Sequence, residues 1–187
     1  MTVQERGCDP AYPGSDVVGL SQTFVVTLKL DQPSFERLST LRGRYFPPSR
    51  NLVPAHLTLL HRLDARQADR LLGLRLRLLA EPPIALEFRE LRLMGRGVSV
   101  GVCSSSLLSL RAALVASAGG KLTRQDQQGF RPHVTVQNKV PAEQAQATLA
   151  HLSETFTPWC GVGGAVLVWR YVGGPWELDH ELPFANH

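Results

Sequence analysis

His56-Leu57-Thr58-Leu59 and His133-Val134-Thr135-Val136 are two copies of one pattern: histidine, apolar residue, threonine, apolar residue. A given histidine is followed by this pattern by chance about once in 100, and two cases among six histidines arise roughly 0.15% of the time, so the repetition points to function. Histidine, with an ordinary pKa near 6.5, can take or give a proton around neutral pH. Two of them suffice for displacement at phosphorus, one activating the attacking oxygen and the other protonating the departing one. Threonine hydroxyls can donate to the non-bridging oxygens, whose charge must be stabilised in the transition state. On a strand, residues two apart share a face. Each His–Thr pair therefore points into one cavity, while Leu57, Leu59, Val134 and Val136 bury behind it. Because the motifs are near mirror images, the sequence leaves open which histidine is the base and which the acid.

Other residues carry weaker signals. Arg131, just before the second motif, and Arg96, between two glycines, are candidate phosphate contacts, although a surface arginine is more often only solvated. Tyr171 and Trp169 are candidates for stacking on a base, against the plainer reading of strand packing. His61, five residues after His56, falls on the opposite face of a continued strand and is read as outside the chemistry. His151, His180 and His187 have no metal-ligand spacing, and neither a metal nor a cofactor is expected. Arg62, Arg66, Arg70, Arg75 and Arg77 read as the solvated face of a helix.

The elements that must position these residues follow from periodicity and punctuation. Residues 23–30 form a β-branched strand, and Asp31-Gln32-Pro33 then opens a helix over 33–44. A second strand lies within 52–63, and a helix is predicted over 65–80, stopped by Pro82-Pro83. Residues 84–93 and 98–103 flank Gly95-Arg96-Gly97 as a hairpin. A helix over 107–118 ends at Gly119-Gly120, and residues 121–129 are a loop leading into the strand of the second motif. A helix over 141–155 and a hairpin of 165–172 with 176–182 complete the chain. The two halves have similar content around one histidine-bearing strand each, which implies an α+β fold with sheets covered by helices.

The composition, 43% hydrophobic and 19% charged residues, is that of a soluble globular protein, and no apolar run approaches the roughly 20 residues of a membrane span. Residues 1–20 read as a loose leader rather than a secretory signal, followed by a single domain over 21–187; the expected location is the cytoplasm. Cys8, Cys103 and Cys160 are too few and too scattered for a disulfide framework or a zinc site. The net charge of +4 and pI near 9.3 suit an anionic partner without requiring one.

The paired motifs resemble the two-histidine phosphoesterase superfamily, which includes 2′,5′-RNA ligase-like proteins and cyclic nucleotide phosphodiesterases. The likeness to the bacterial 2′,5′-RNA ligase-like branch extends to the segment Phe130 to Lys139, to Gly95-Arg96-Gly97-Val98, and to Trp169-Arg170-Tyr171 followed by Gly173-Gly174-Pro175-Trp176. It implies a two-lobed, pseudo-symmetric α+β fold of antiparallel sheets flanked by helices, with a central cleft. It also implies metal-free hydrolysis of 2′,3′-cyclic phosphates on RNA ends or nucleotides to 2′-phosphates, with His56 and His133 catalytic and Thr58 and Thr135 on the phosphate. A 2′,5′-RNA ligase, a hydrolase of small cyclic phosphates and a non-catalytic RNA- or nucleotide-binding module stand as alternatives. No protein partner is inferred, and a monomer is expected.

Overall fold

Strand β1 (Thr23–Leu30) is buried along almost its whole length, and Asp31 ends it by capping helix α1 (Gln32–Tyr45). The Asp31 carboxylate accepts the Ser34 N–H at 2.9 Å, and Pro33 sits in the first turn, where no N–H is required. This computed structural model describes residues 22–185, so the expected leader and Cys8 lie outside the described residues. A proline-rich approach with one tight turn (Pro48–Arg50) leads into β2 (Leu57–Leu63). Asp64 and Gln67 then form a reciprocal capping box for α2 (Ala65–Leu72).

The helix predicted over 65–80 is broken. The N–H groups of Gly73 and Leu74 bond carbonyls three residues back, at Arg70 and Leu71, and helix resumes only as α3 (Arg75–Leu78). Glycine within a helix costs about 1 kcal/mol relative to alanine, so the break falls where propensity is lowest. The hairpin of β3 (Ile84–Leu93) and β4 (Val98–Cys103) matches its prediction, with Gly95 at φ +70 in the turn. Helix α4 (Ser105–Ala118) follows. The segment expected as a plain loop over 121–129 contains a helical turn, α5 (Arg124–Gln127), before β5 (His133–Gln137) and α6 (Ala142–Thr155). β6 (Trp159–Tyr171) begins well before residue 165, running through Gly161, Gly163 and Gly164, and pairs with β7 (Trp176–Pro183). A Cβ on Gly163 would run into the buried Leu28 side chain, so the glycine serves close packing rather than a turn.

All pairings are antiparallel, in the order β1-β2-β5-β4-β3-β6-β7, and β6 also pairs with β1. Six strands thus close a hydrogen-bonded ring, with β7 attached outside it. Helices α1 and α6 pack on the β5-β4-β3 side, and α2 contacts β1 and β2. The α+β architecture expected from the sequence is the one observed. Val26, Leu57, Leu60, Val98, Val100, Val134, Val136, Val166 and Val168 are fully buried at its core. Each contributes about 1.5–3 kcal/mol by its removal from water.

The ring is thinnest between the two motif strands. β2 and β5 share one register pair, Leu57 with Val134, whereas β1 and β6 pair over eight positions. Beyond that pair β2 and β5 part, and the space between them is a cleft.

A cleft built on two histidine strands

Leu57 and Val134 are wholly buried and face each other across antiparallel strands, so one step to either side sets His56 opposite Thr135 and Thr58 opposite His133. Directly opposed side chains have Cβ atoms about 4.5–5.5 Å apart, which brings the four polar groups onto one small patch. All four line a cleft of about 520 Å³, with Arg131 at its edge.

Both imidazoles are anchored in the same way. His56 Nδ1 lies 2.7 Å from the Pro54 carbonyl and His133 Nδ1 2.8 Å from the Arg131 carbonyl, each two residues upstream. A carbonyl only accepts, so in each ring Nδ1 carries hydrogen and donates, leaving Nε2 for the cleft. The surroundings differ. The ring of Trp176 lies 4.6 Å from that of His56, and burial pushes the His56 pKa down to about 4; the Pro54 bond opposes this, and the charges of Arg42, His61 and His133 add to it. His56 is therefore neutral at pH 7.

Arg42, on α1, lies directly behind the patch and is 3% exposed. Its guanidinium donates to the Thr135 carbonyl at 2.7 Å, to Asn51 Oδ1 at 2.9 Å and to the Val53 carbonyl at 3.1 Å, tying the second motif to the approach of the first. Burial lowers its pKa to about 10, which leaves it charged at neutral pH.

His61 does not lie where simple alternation puts it. Register with β1 slips between Val26–Leu60 and Thr27–Thr58, and again between Phe24–Leu63 and Val26–Leu60. The extra residues bury Leu59 and Leu60 in succession and return His61 to the side of Thr58, where it lines the cleft. With β5 already diverged, the His61 N–H donates instead to both Asp126 oxygens, at 3.1 and 3.2 Å, and His61 Nδ1 is 2.8 Å from Asp126 Oδ1. Burial opposes ionisation of Asp126, but the bonds from His61 and Thr123 outweigh it and hold the carboxyl below its usual pKa.

The other sequence candidates fall outside the patch. Arg96 spends its Nε–H on the Val140 carbonyl at 3.1 Å, and Tyr171 is 45% exposed at the end of β6. The Trp169 indole N–H donates to Thr27 Oγ1 at 2.8 Å. The aromatic side chains lining the cleft are Phe130 and Trp176, the latter across the hairpin from Tyr171. Arg42 and Asp126 carried no local signal, and Trp176 only its part in the family resemblance, since each reaches the site through a strand pairing or helix packing distant in sequence. Among the described residues no group of three or more His, Cys, Asp or Glu is placed to hold a metal ion, and no helix is long and apolar enough to cross a membrane.

The sequence profile described as the 2′-5′ RNA ligase superfamily matches residues 30–175. Among solved structures, E. coli LigT complexed with phosphate is 20% identical, with TM-score 0.58, covering 89% of this chain and 99% of that one. LigT complexed with 3′-AMP is 18% identical with TM-score 0.59 over the same shares, 89% and 99%. TT0787 of Thermus thermophilus is 18% identical with TM-score 0.62, covering 88% of this chain and all of the other. These likenesses establish a shared fold. No curated protein matches the sequence significantly.

Proposed function

Because the chain belongs to the 2′-5′ RNA ligase superfamily, we propose that it is a metal-independent phosphodiesterase opening 2′,3′-cyclic phosphates of RNA ends or nucleotides to 2′-phosphates. The observation that carries the reading is the crossed arrangement of the motifs, His56 against Thr135 and His133 against Thr58, with both Nε2 atoms left to the cleft. A phosphorus seated between the rings has one imidazole on each side, as in-line displacement requires, and two hydroxyls to hold its non-bridging oxygens.

His56, neutral at pH 7, is the base. Its Nε2 takes a proton from water as the water oxygen bonds to phosphorus, and the bond from phosphorus to the ribose 3′ oxygen breaks. His133 gives that oxygen its proton, and the product keeps the phosphate on the 2′ position. The phosphate and 3′-AMP complexes of E. coli LigT support a phosphate-bearing ligand in this fold.

The test is turnover of the four nucleoside 2′,3′-cyclic phosphates in EDTA, with the product isomer identified. His56→Ala and His133→Ala should each lower kcat by about 10²–10⁴, the usual contribution of a positioned acid or base. Wild-type protein that is folded and inert towards these compounds sinks the nucleotide reading and turns attention to longer RNA ends and ligation.

A further inference from the structure

His61 is the third imidazole of the cleft and the only one of the three backed by a carboxylate rather than a main-chain carbonyl. The carboxylate is fixed from several sides. Thr123 Oγ1 donates to Asp126 Oδ2 at 2.8 Å, the His61 N–H reaches both oxygens, and an Arg111 amine lies 3.8 Å from Oδ1, while the Asp126 side chain is 1% exposed. Among the described residues lining the cleft, which include Arg111 and Arg131, Asp126 is the sole acid. The open side of the His61 ring meets Gln125, whose side-chain nitrogen is 2.9 Å from Nε2. With Nδ1–H given to Asp126, Nε2 accepts from Gln125, while Arg111 and Arg131 make the wall net positive with its one negative charge already engaged, and it attracts an anion.

The anion is not the reacting phosphate. His61 stands three positions along β2 from Thr58, at most about 10 Å at the rise of a strand, and its ring is turned to Asp126 and Gln125 rather than to the His56–His133 patch. That span is one that a ribose and one further phosphate can bridge. Resting on the cyclic phosphodiesterase reading above, we propose that His61, held by Asp126, binds the 5′-phosphate of the nucleotide that carries the scissile cyclic phosphate. The cleft then recognises a nucleotide or RNA end by two phosphates, one reacting and one only bound. The second phosphate takes the place of Gln125 at Nε2 and accepts from Nε2–H, with Asp126 balancing the charge behind the ring, and the released Gln125 amide donates to the same phosphate.

The experiment compares three substrates: adenosine 2′,3′-cyclic phosphate, the same compound bearing a 5′-phosphate, and an adenosine dinucleotide ending in the cyclic phosphate. Wild type should favour the 5′-phosphorylated compound over the 5′-hydroxyl one by about tenfold in kcat/KM through KM, the scale of one charge-assisted hydrogen bond. His61→Gln should bring that ratio close to one. A dinucleotide favoured equally identifies the linking phosphodiester of RNA as the natural ligand, and preference confined to the monoester identifies a free nucleotide. Equal kcat/KM for all three in wild type, or a preference that survives in His61→Gln, overturns the proposal and leaves the hydrolase reading intact. Should wild type turn over none of them, the hydrolase reading fails, and titration with adenosine 3′,5′-bisphosphate against 3′-AMP decides the subsite. Tighter binding of the bisphosphate, lost in His61→Gln, upholds it; equal affinities refute it.

Discussion

His56 lies against Trp176, with the Arg42 cation close behind it and a pKa pushed down to about 4. His133, opposite, pairs across to Gly101 on β4, where the missing side chain leaves room for the Arg92 guanidinium. The two motifs share their residue pattern, their strand geometry and their Nδ1 anchor. What separates them is the next layer of side chains, drawn from β7 and α1 on one side and from β3 and β4 on the other. Acid–base work needs two groups in opposite protonation states. A duplicated motif cannot supply that difference by itself, so it must come from neighbours that the duplication did not copy.

The comparison can be broken most severely at Arg42, whose guanidinium bonds both the second motif and the approach to the first. Arg42→Met strands the Thr135 and Val53 carbonyls in a buried place, and a buried acceptor left unpaired costs about 1–3 kcal/mol. The expected loss is about 3 kcal/mol of unfolding free energy, read by urea denaturation. An unchanged midpoint means the fork is ornamental.

A smaller change tests whether the halves share the phosphate equally. Thr58→Val and Thr135→Val keep the strand and remove one hydroxyl each, and each should lower kcat/KM by about 10- to 100-fold, the scale of one hydrogen bond to a charged group. Equal losses mean that the symmetry holds at the phosphate even though it fails at the imidazoles. A loss in only one variant extends the asymmetry to the donors.

The smallest expected effect sharpens the contrast directly. With His56 as base, the acid limb of wild-type kcat/KM should lie near pH 4, where the ring protonates. Trp176→Ala removes part of the burial that disfavours the charged ring, so the acid limb should move up towards the ordinary imidazole value of 6.5. Stability follows the same sign. The folded pKa lies below the unfolded one, so between pH 6.5 and about 4 the unfolded chain binds more protons and His56 costs stability as pH falls. The tryptophan variant should lose less across that window. An acid limb that stays in place means that Trp176 is not what keeps the ring neutral.

The sequence made β1, α1, the β3–β4 hairpin and α6 legible because each rests on local signals: β-branched runs, a capping aspartate, a Gly-x-Gly turn, a proline before a helix. The four motif residues were legible because a period of two is all that is needed to place them on one face. His61 was misplaced by the same rule. The slips on either side of Leu60 depend on how β1 pairs with β2, and alternation counted along one strand cannot register a bulge. Trp176 and Arg42 were hidden for a related reason, since nothing near them in sequence says which strand a distant hairpin or helix will cover. The early start of β6 was missed because glycines argue against a strand; here Gly163 lets Leu28 in and Gly161 leaves room for Ser34, Asp31 and Phe88.

The pairing of β1 with β6 joins residues 23–30 to residues 163–171, the first and the last strand of the closed ring. Contacts so distant in sequence carry a heavy loop-closure cost and make folding slow. During synthesis β1, β2 and β5 all emerge from the ribosome before β6, so both histidine motifs exist while the ring is still open. A chain stalled short of residue 163 bears every residue of the crossed His–Thr patch and an exposed β1 edge, free to pair with another chain. Aggregation during translation, rather than premature activity, is the hazard built into this order of strands.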